Sequence, residues 1–284
     1  MKKAGAEHSR KDRGGGLMKK VILLSAGVAC LLLIVVGCMF YPEIYFYWHF
    51  ECEYDEYYQS YVLIDVKHWY KETLLLPEET PDGYPIKLVE SVSRQENEKI
   101  KELIIPDTYE MAFKGFSSGL KSLEKISIGK TLCYGLGQGC FADNDNLINI
   151  TVSPEHPIYT GDGNCIIEKH SNRLIAACKG STIPTYTKII GEAAFAGVDI
   201  KHLDVPESVE IIELSAFAQS SLESITLPKS VKEISYTAFS HCSILTVYCE
   251  YVSKPNGWEE GCFDDVAEVF WGHKTRKTGD GSLS

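Results

Sequence analysis

The sequence predicts an α/β-type solenoid of short parallel strands, and three observations carry that prediction. Between Ile183 and Tyr248 the chain repeats itself: Pro184, Pro206 and Pro228 stand 22 residues apart, and Phe195, Phe217 and Phe239 keep the same interval. The residues between them hold phase, with Ile190, Ile212 and Ile234 each six after their proline and Ala194, Ala216 and Ala238 each just before their phenylalanine. Spaced apolar triplets of the form Leu-x-x-Ile-x-Leu also recur along the chain, and their last two members alternate with polar residues as a half-buried strand requires. A unit this short cannot bury a core alone. Each must stack on the next, which makes a solenoid whose long exposed surface is where function lies.

The first 20 residues carry seven Lys/Arg and two Asp/Glu, a net charge of 7 − 2 = +5. Residues 21–41, from Val21 to Tyr41, carry no charge. That length crosses a hydrocarbon core of about 30 Å as a helix, and the basic flank holds its N-terminal end in the cytoplasm. Two readings of the segment are open. It is a retained signal anchor with residues 1–20 as a basic cytoplasmic arm, or it is a lipoprotein signal. In the second reading Val35-Val36-Gly37-Cys38 resembles a lipobox, Cys38 is the lipidated residue, and Met18 is the true start. Both put the protein on a membrane, facing outward. The remaining charge is (28 − 7) − (39 − 2) = −16, which argues against nucleic acid and anionic lipid as partners.

Residues 42–73 are dense in aromatics. Tyr45, Phe46, Tyr47, Trp48 and Phe50 suit an interfacial belt, while the later ones, interleaved with Glu51, Glu53, Asp55 and Glu56, read as a linker and an N-terminal cap over the open first turn. The solenoid itself is expected over residues 74–272. Leu74-Leu75-Leu76-Pro77 reads as a strand, Asp82-Gly83-Tyr84-Pro85 as a turn and Ile86 as the start of a second apolar segment. Further strands end on Leu103 and Ile105, Ile126 and Ile128, Ile150 and Val152, Leu203 and Val205, and Ile225 and Leu227. Their spacings are 23, 24, 53 and 22 residues, so the long one contains an insertion. Residues 157–182 hold it: two apolar runs, Cys165-Ile166-Ile167-Glu168 and Leu174-Ile175-Ala176-Ala177-Cys178, separated by a polar tip, make a β-hairpin. With the tip centred between Ser171 and Asn172, Cys165 and Cys178 face each other. They are then either a bridged pair or two unbridged buried thiols. Residues 245–272 read as a closing unit and 273–284 as a disordered tail.

Catalytic and metal-binding patterns are weak. Gly135-Leu136-Gly137-Gln138-Gly139 lacks the Lys-Ser/Thr of a phosphate loop and reads as a turn. Asp143-Asn144-Asp145-Asn146 lacks the rest of a calcium loop and reads as a solvated inter-repeat turn. The cysteines have no zinc spacing; Cys140, Cys242 and Cys262 each lie within three residues of a phenylalanine and read as small buried packing. His241-Cys242 are adjacent, so their side chains diverge. His156, His170 and His202 stand alone and are expected at the surface. No cofactor is expected, and the chain reads as a non-enzyme.

The unit Leu222-Glu223-Ser224-Ile225-Thr226-Leu227-Pro228, continued by Val231, Ile234 and Ala238-Phe239-Ser240-His241-Cys242, resembles the BspA-type (Treponema pallidum-type) leucine-rich repeat. The hairpin from Gly163 to Pro184 resembles a module inserted between such repeats. The stretch from Val247-Tyr248-Cys249-Glu250 through Gly257-Trp258 to Val269-Phe270-Trp271-Gly272 resembles their closing unit. Residues 107–122 fit worst, and a distorted repeat is expected there. The resemblance implies one short strand per repeat on the concave side of a curved solenoid, a secreted or surface location, and an adhesin or scaffold role. The outward residues of that ladder are the candidate binding surface: Lys125, Ser127, Asn149, Thr151, His202, Asp204, Ser224, Thr226, Thr246 and Tyr248. They would meet a protein or glycan ligand. The reading is a membrane-tethered extracellular binding protein, held by residues 21–41 or by Cys38; the alternative is a structural spacer of the cell envelope with no specific ligand.

Overall fold

The computed structural model describes residues 42–92, 98–113, 116–136, 139–141 and 143–273. The apolar segment 21–41, Cys38 and the tail from 274 onward lie outside them. Among the described residues no helix is long and apolar enough to cross a membrane. The chain divides into two units, Met1–Tyr47 and Trp48–Ser284; the described part of the first is helical, and the second holds every strand.

That unit opens on a β-hairpin, β1 (Phe50–Asp55) and β2 (Ser60–Val66), with a bulge between Glu51 and Cys52. The chain then runs through β3 (Thr73–Leu75), β4 (Ile86–Val89), β5 (Glu102–Ile105), β6 (Met111–Ala112), β7 (Lys125–Ile128) and β8 (Asn149–Val152). The insertion follows as β9 (Tyr159–Asp162), β10 (Cys165–Glu168) and β11 (Arg173–Ala176). The regular part comprises β12 (Ile189–Ile190), β13 (His202–Asp204), β14 (Ile211–Ile212), β15 (Ser224–Leu227), β16 (Glu233–Ile234), β17 (Thr246–Cys249) and β18 (Glu268–Trp271).

These strands stack into two kinds of parallel ladder, where the family resemblance implied one strand per repeat. The first kind holds the triplet strands, in the orders β3-β5-β7-β8 and β13-β15-β17-β18. The second holds the short strands ending on the repeated isoleucine, β12, β14 and β16, within the orders β1-β2-β4-β6 and β16-β14-β12-β11-β10-β9, and runs parallel except where β1 meets β2 and where β10 meets β9 and β11. The cause is local. Each repeat proline leaves its carbonyl to accept from the amide three residues on: Thr187 to Pro184, Val209 to Pro206 and Val231 to Pro228, at 3.0, 3.0 and 3.2 Å. This turn redirects the chain out of the first ladder, and the two residues before the next corner pair with their copies: Ile190 with Ile212, and Ile212 with Ile234. A two-residue strand with a single inward isoleucine shows no alternation, so period-2 reading passes over it.

The third side of each coil is the phenylalanine corner. Ala194, Ala216 and Ala238 donate to the carbonyl three residues back, and Phe195 and Phe217 donate to Ala216 and Ala238 of the next coil at 2.7 and 2.8 Å. Left-handed backbone recurs at Gly197, Gln219 and His241, φ 67°, 57° and 61°, two residues past each ring. The rings stack along the coil axis, Phe195 on Phe217 at 5.2 Å and Phe217 on Phe239 at 5.3 Å. All three are buried with Ile190, Leu203, Val209, Ile225 and Val247 in one continuous core. Cys140, Cys242 and Cys262 lie buried beside it, and Cys242 Sγ–H donates to the Phe217 carbonyl at 3.1 Å.

The N-terminal coils depart from this pattern. Buried Tyr109 reaches back to the Pro77 carbonyl at 2.8 Å. Gly135 is required where it stands: its φ is +85°, and a Cβ there would lie 1.6 Å from the Ala112 carbonyl oxygen. Asn144 is buried rather than solvated. Its amide accepts from Leu120 N–H at 2.7 Å and donates to the Ser117 carbonyl at 2.9 Å, which locks two coils together.

Two further expectations need correction. His156 lies at 0 % exposure, not on the surface. Its Nε2 bonds the Leu132 carbonyl, and its Nδ1 accepts from Ile158 and Tyr159 N–H, all at 3.1 Å. Cys165 and Cys178 do not oppose each other. The register pairs Glu168 with Arg173 and Ile167 with Leu174, then shifts to Ile166 with Ala176. The tip is thus tighter than the count assumed and the bulge restores only one residue, which leaves Cys178 past the last pair. Both thiols are free; they donate to the Thr182 and Asn164 carbonyls at 3.6 and 3.5 Å.

Candidate binding surface

The ten sequence-predicted surface residues fall into two groups, because the insertion interrupts the first ladder. Lys125 and Ser127 sit on β7, in register with Asn149 and Thr151 on β8. His202 and Asp204 on β13 align with Ser224 and Thr226 on β15, and those with Thr246 and Tyr248 on β17. No strand pairing joins β8 to β13. Within each group the alternation holds: Ile126, Ile150, Leu203, Ile225 and Val247 point into the core, while the predicted residues are exposed or half-buried.

The rows are tied laterally. Thr151 Oγ1–H donates to Ser127 Oγ at 3.0 Å, and the His202 ring bonds Ser224 Oγ at 2.8 Å. Such bonds between adjacent strands hold short side chains in one rotamer, so the surface presents fixed groups.

The structure extends both groups beyond what the sequence nominated. In the first, Thr73–Glu102 and Leu75–Ile104 continue the rows toward the N-terminus, and Leu75 is 53 % exposed. The gap from β3 to β5 is 29 residues where its neighbours are 23 and 24, which hid Thr73 and Leu75 from a period search, whereas Glu102 and Ile104 keep the 23-residue interval to Lys125 and Ser127. In the second, Glu268 follows Thr246 and Phe270 follows Tyr248. Both keep the 22-residue interval, so extending the period by one more step finds them.

The rows are chemically graded. The middle is hydroxyl, amide and single charges, whereas the far end is aromatic. Tyr248 stacks on Phe270 at 5.5 Å with an 11° interplanar angle, and His273 lies 4.9 Å from Tyr248. A second aromatic group runs from the N-terminal hairpin to the turn before β4: Tyr54, Tyr61 and Tyr84 form a chain at 5.4 and 5.7 Å, and Tyr57 at the hairpin tip is highly exposed.

Among the described residues no group of three or more His, Cys, Asp or Glu is placed to hold a metal ion. Burial pushes the thiols up, Cys165 and Cys249 to about 12 and Cys178 and Cys262 to about 11. They stay protonated and are poor nucleophiles at neutral pH. His241 is exposed while Cys242 is buried, and the His241 N–H donates to Asp265 at 3.0 Å.

The profile of the BspA type leucine-rich repeat region matches in six copies, over residues 89–165 and 167–267. The chain belongs to this family. Solved structures similar to it include a leucine-rich cell surface protein from Faecalibacterium prausnitzii, 12 % identical, with 80 % of this chain and 94 % of that one covered and a TM-score of 0.31. A leucine-rich repeat protein from Eubacterium ventriosum is 14 % identical, with 78 % and 76 % covered and a TM-score of 0.44. The Treponema pallidum leucine-rich repeat protein is 18 % identical, with 78 % of each chain covered and a TM-score of 0.30. No curated protein matches this chain.

Proposed function

We propose that this member of the BspA-type family is a membrane-tethered, outward-facing, non-enzymatic protein that binds a protein or glycan through the second group of rows. The observation that carries the reading is the row Asp204, Thr226, Tyr248 and Phe270, held in register on four consecutive parallel strands. It is solvent-facing and graded from a carboxylate through a hydroxyl to stacked rings. A spacer of the cell envelope needs only a polar face. The exposed aromatic end favours the binder, since aromatic anchors carry most of the affinity in recognition surfaces.

Binding of the full chain, held in detergent micelles, to a panel of immobilised glycans and purified surface proteins tests the reading. A ligand should be found whose capture weakens by about tenfold in Tyr248→Ala, the loss of one buried aromatic anchor, with the fold unchanged. Equal capture by the wild type and the variant would move the site elsewhere; no ligand in the panel would return the spacer. The tether rests on the uncharged run 21–41 and its basic flank, and the intact mass of the native protein separates its two forms. Loss of everything before Cys38 with a diacylglyceryl gain makes it a lipoprotein, whereas a mass retaining residues 21–41 makes it an anchor. Cys165 and Cys178 are proposed to remain thiols, which the same mass reads after alkylation.

A further inference from the structure

The strand β18 closes its ladder and is hydrogen-bonded on one face only, to β17. Among the described residues no other strand pairs with its outer edge. Open edges are hazards that proteins normally blunt with bulges, charges or short length, and two other ends of these ladders show such devices. The edge strand β1 carries a bulge and three acids, Glu51, Glu53 and Asp55, and β3 is three residues long. By contrast β18, Glu268-Val269-Phe270-Trp271, has one charge and no bulge, and Phe270 and Trp271 are 43 % and 37 % exposed. The ring of Phe270 stacks on Tyr248 through one face, which leaves its other face turned toward the missing next strand.

The surroundings select the charge of what would sit there. Between Glu250 and His273 the chain carries Glu250, Glu259, Glu260, Asp264, Asp265 and Glu268 against Lys254 alone, a net of 1 − 6 = −5. Lys254 is already paired with Glu260 at 2.9 Å, and Glu250, Glu259 and Asp265 accept from the Lys229, Tyr236 and His241 amides of the preceding coil, so the acid that the edge itself presents is Glu268. We propose that β18 is a docking edge for a basic extended segment of a partner protein, which adds as a fifth parallel strand. Every pairing in this sheet is parallel and in register, so continuation sets the spacing. The partner residue beside Glu268 is Lys or Arg, and the residue two positions on, beside Phe270, is aromatic. Main-chain bonds supply the affinity and the alternate side chains the selectivity, as in other strand additions. The edge shares Phe270 with the row surface proposed above but is read through main-chain bonds, so N-methylation of the peptide tests the edge and Tyr248→Ala tests the row.

The probe is a labelled ten-residue peptide with a central Lys-Val-Phe, titrated by fluorescence anisotropy against the full chain in detergent micelles. Saturable one-to-one binding is expected, weaker for the reversed order Phe-Val-Lys, weaker with added salt, and lost when the peptide amides facing β18 are N-methylated. Phe270→Ala, at an exposed position, should leave the melting temperature unchanged and weaken binding about fivefold, the worth of one aromatic pair. Glu268→Lys should turn the preference to a Glu-Val-Phe peptide. Three results would overturn the proposal: no binding up to about 1 mM peptide, a range reserved for negligible affinities; binding indifferent to N-methylation and residue order, which is charge attraction alone; or concentration-dependent self-association abolished by Phe270→Ala, which gives the edge to a second copy of this chain.

Discussion

His156 shows how one residue sets a fold's dependence on pH. Its Nδ1 accepts two backbone amides, so it carries no proton, and its Nε2–H is the donor to Leu132; this tautomer follows from the network. Burial holds its pKa below the ordinary 6.5. The folded state therefore binds fewer protons than the unfolded one once the pH drops toward 6.5, and stability rises with pH in that window. The stabilisation is complete above the unfolded pKa and declines as the pH falls below it, because the proton entering Nδ1 displaces both amides. Thermal unfolding between pH 7.5 and 5 should show the melting temperature falling. His156→Leu should cost about 2 kcal/mol at pH 7.5, the cost of leaving buried amides unsatisfied, and should flatten the curve in this range. An unchanged slope in the variant would move the titration to another group. Nothing in the sequence marks this role, since a lone histidine between Glu155 and Pro157 has no periodic counterpart and its Leu132 partner lies 24 residues back.

The phenylalanine corner was the most legible element, and the reason is that its spacing is also its structure. An interval of 22 residues places Phe195, Phe217 and Phe239 directly above one another, with the middle pair only 4° from parallel. The hairpin was legible in outline and not in register, because its tip is tighter than the polar stretch implies and the bulge between Ile166 and Ile167 restores only one residue. The outward rows alternate with buried residues as the sequence pattern implied, but their break at β8 was not legible, because alternation is a property of one strand while continuity is a property of neighbours. Phe217 touches rings on both sides, whereas Phe263 ends the column at 5.7 Å from Phe239 and is only partly buried. Phe217→Ala should therefore cost about 3–5 kcal/mol by leaving a cavity the stacked coils cannot close. Phe263→Ala should cost less, and urea unfolding of the two variants decides it. Equal losses would mean that the column behaves as independent residues.

At the scale of the whole unit, the insertion is what joins two series of coils. The first ladder stops at β8 and resumes at β13 without a bridging strand, while the second passes from β11 to β12 in parallel register. In a solenoid each coil is stabilised by its neighbours alone, so coupling between the two series runs through β9, β10 and the return segment. One link is the Lys179 N–H donating to the Leu147 carbonyl at 3.0 Å. Another is the approach of β9 to β8 at Gly161, where a Cβ would lie 3.2 Å from the Val152 nitrogen. A branched side chain there forces the insertion off β8 while leaving the Phe195–Phe239 column untouched. Hydrogen exchange of Gly161→Val in increasing urea should separate what the wild type unfolds together. The amides of β5, β7 and β8 should lose protection first, by about 1–2 kcal/mol as for other overpacked contacts, while those of β13, β15 and β17 keep wild-type values. Uniform loss across both series would show that the coils share one cooperative core and that the insertion is an appendage to it. Unchanged exchange throughout would show that the β8–β9 contact yields without cost and that coupling is carried by the return segment, through bonds such as Lys179 N–H to the Leu147 carbonyl.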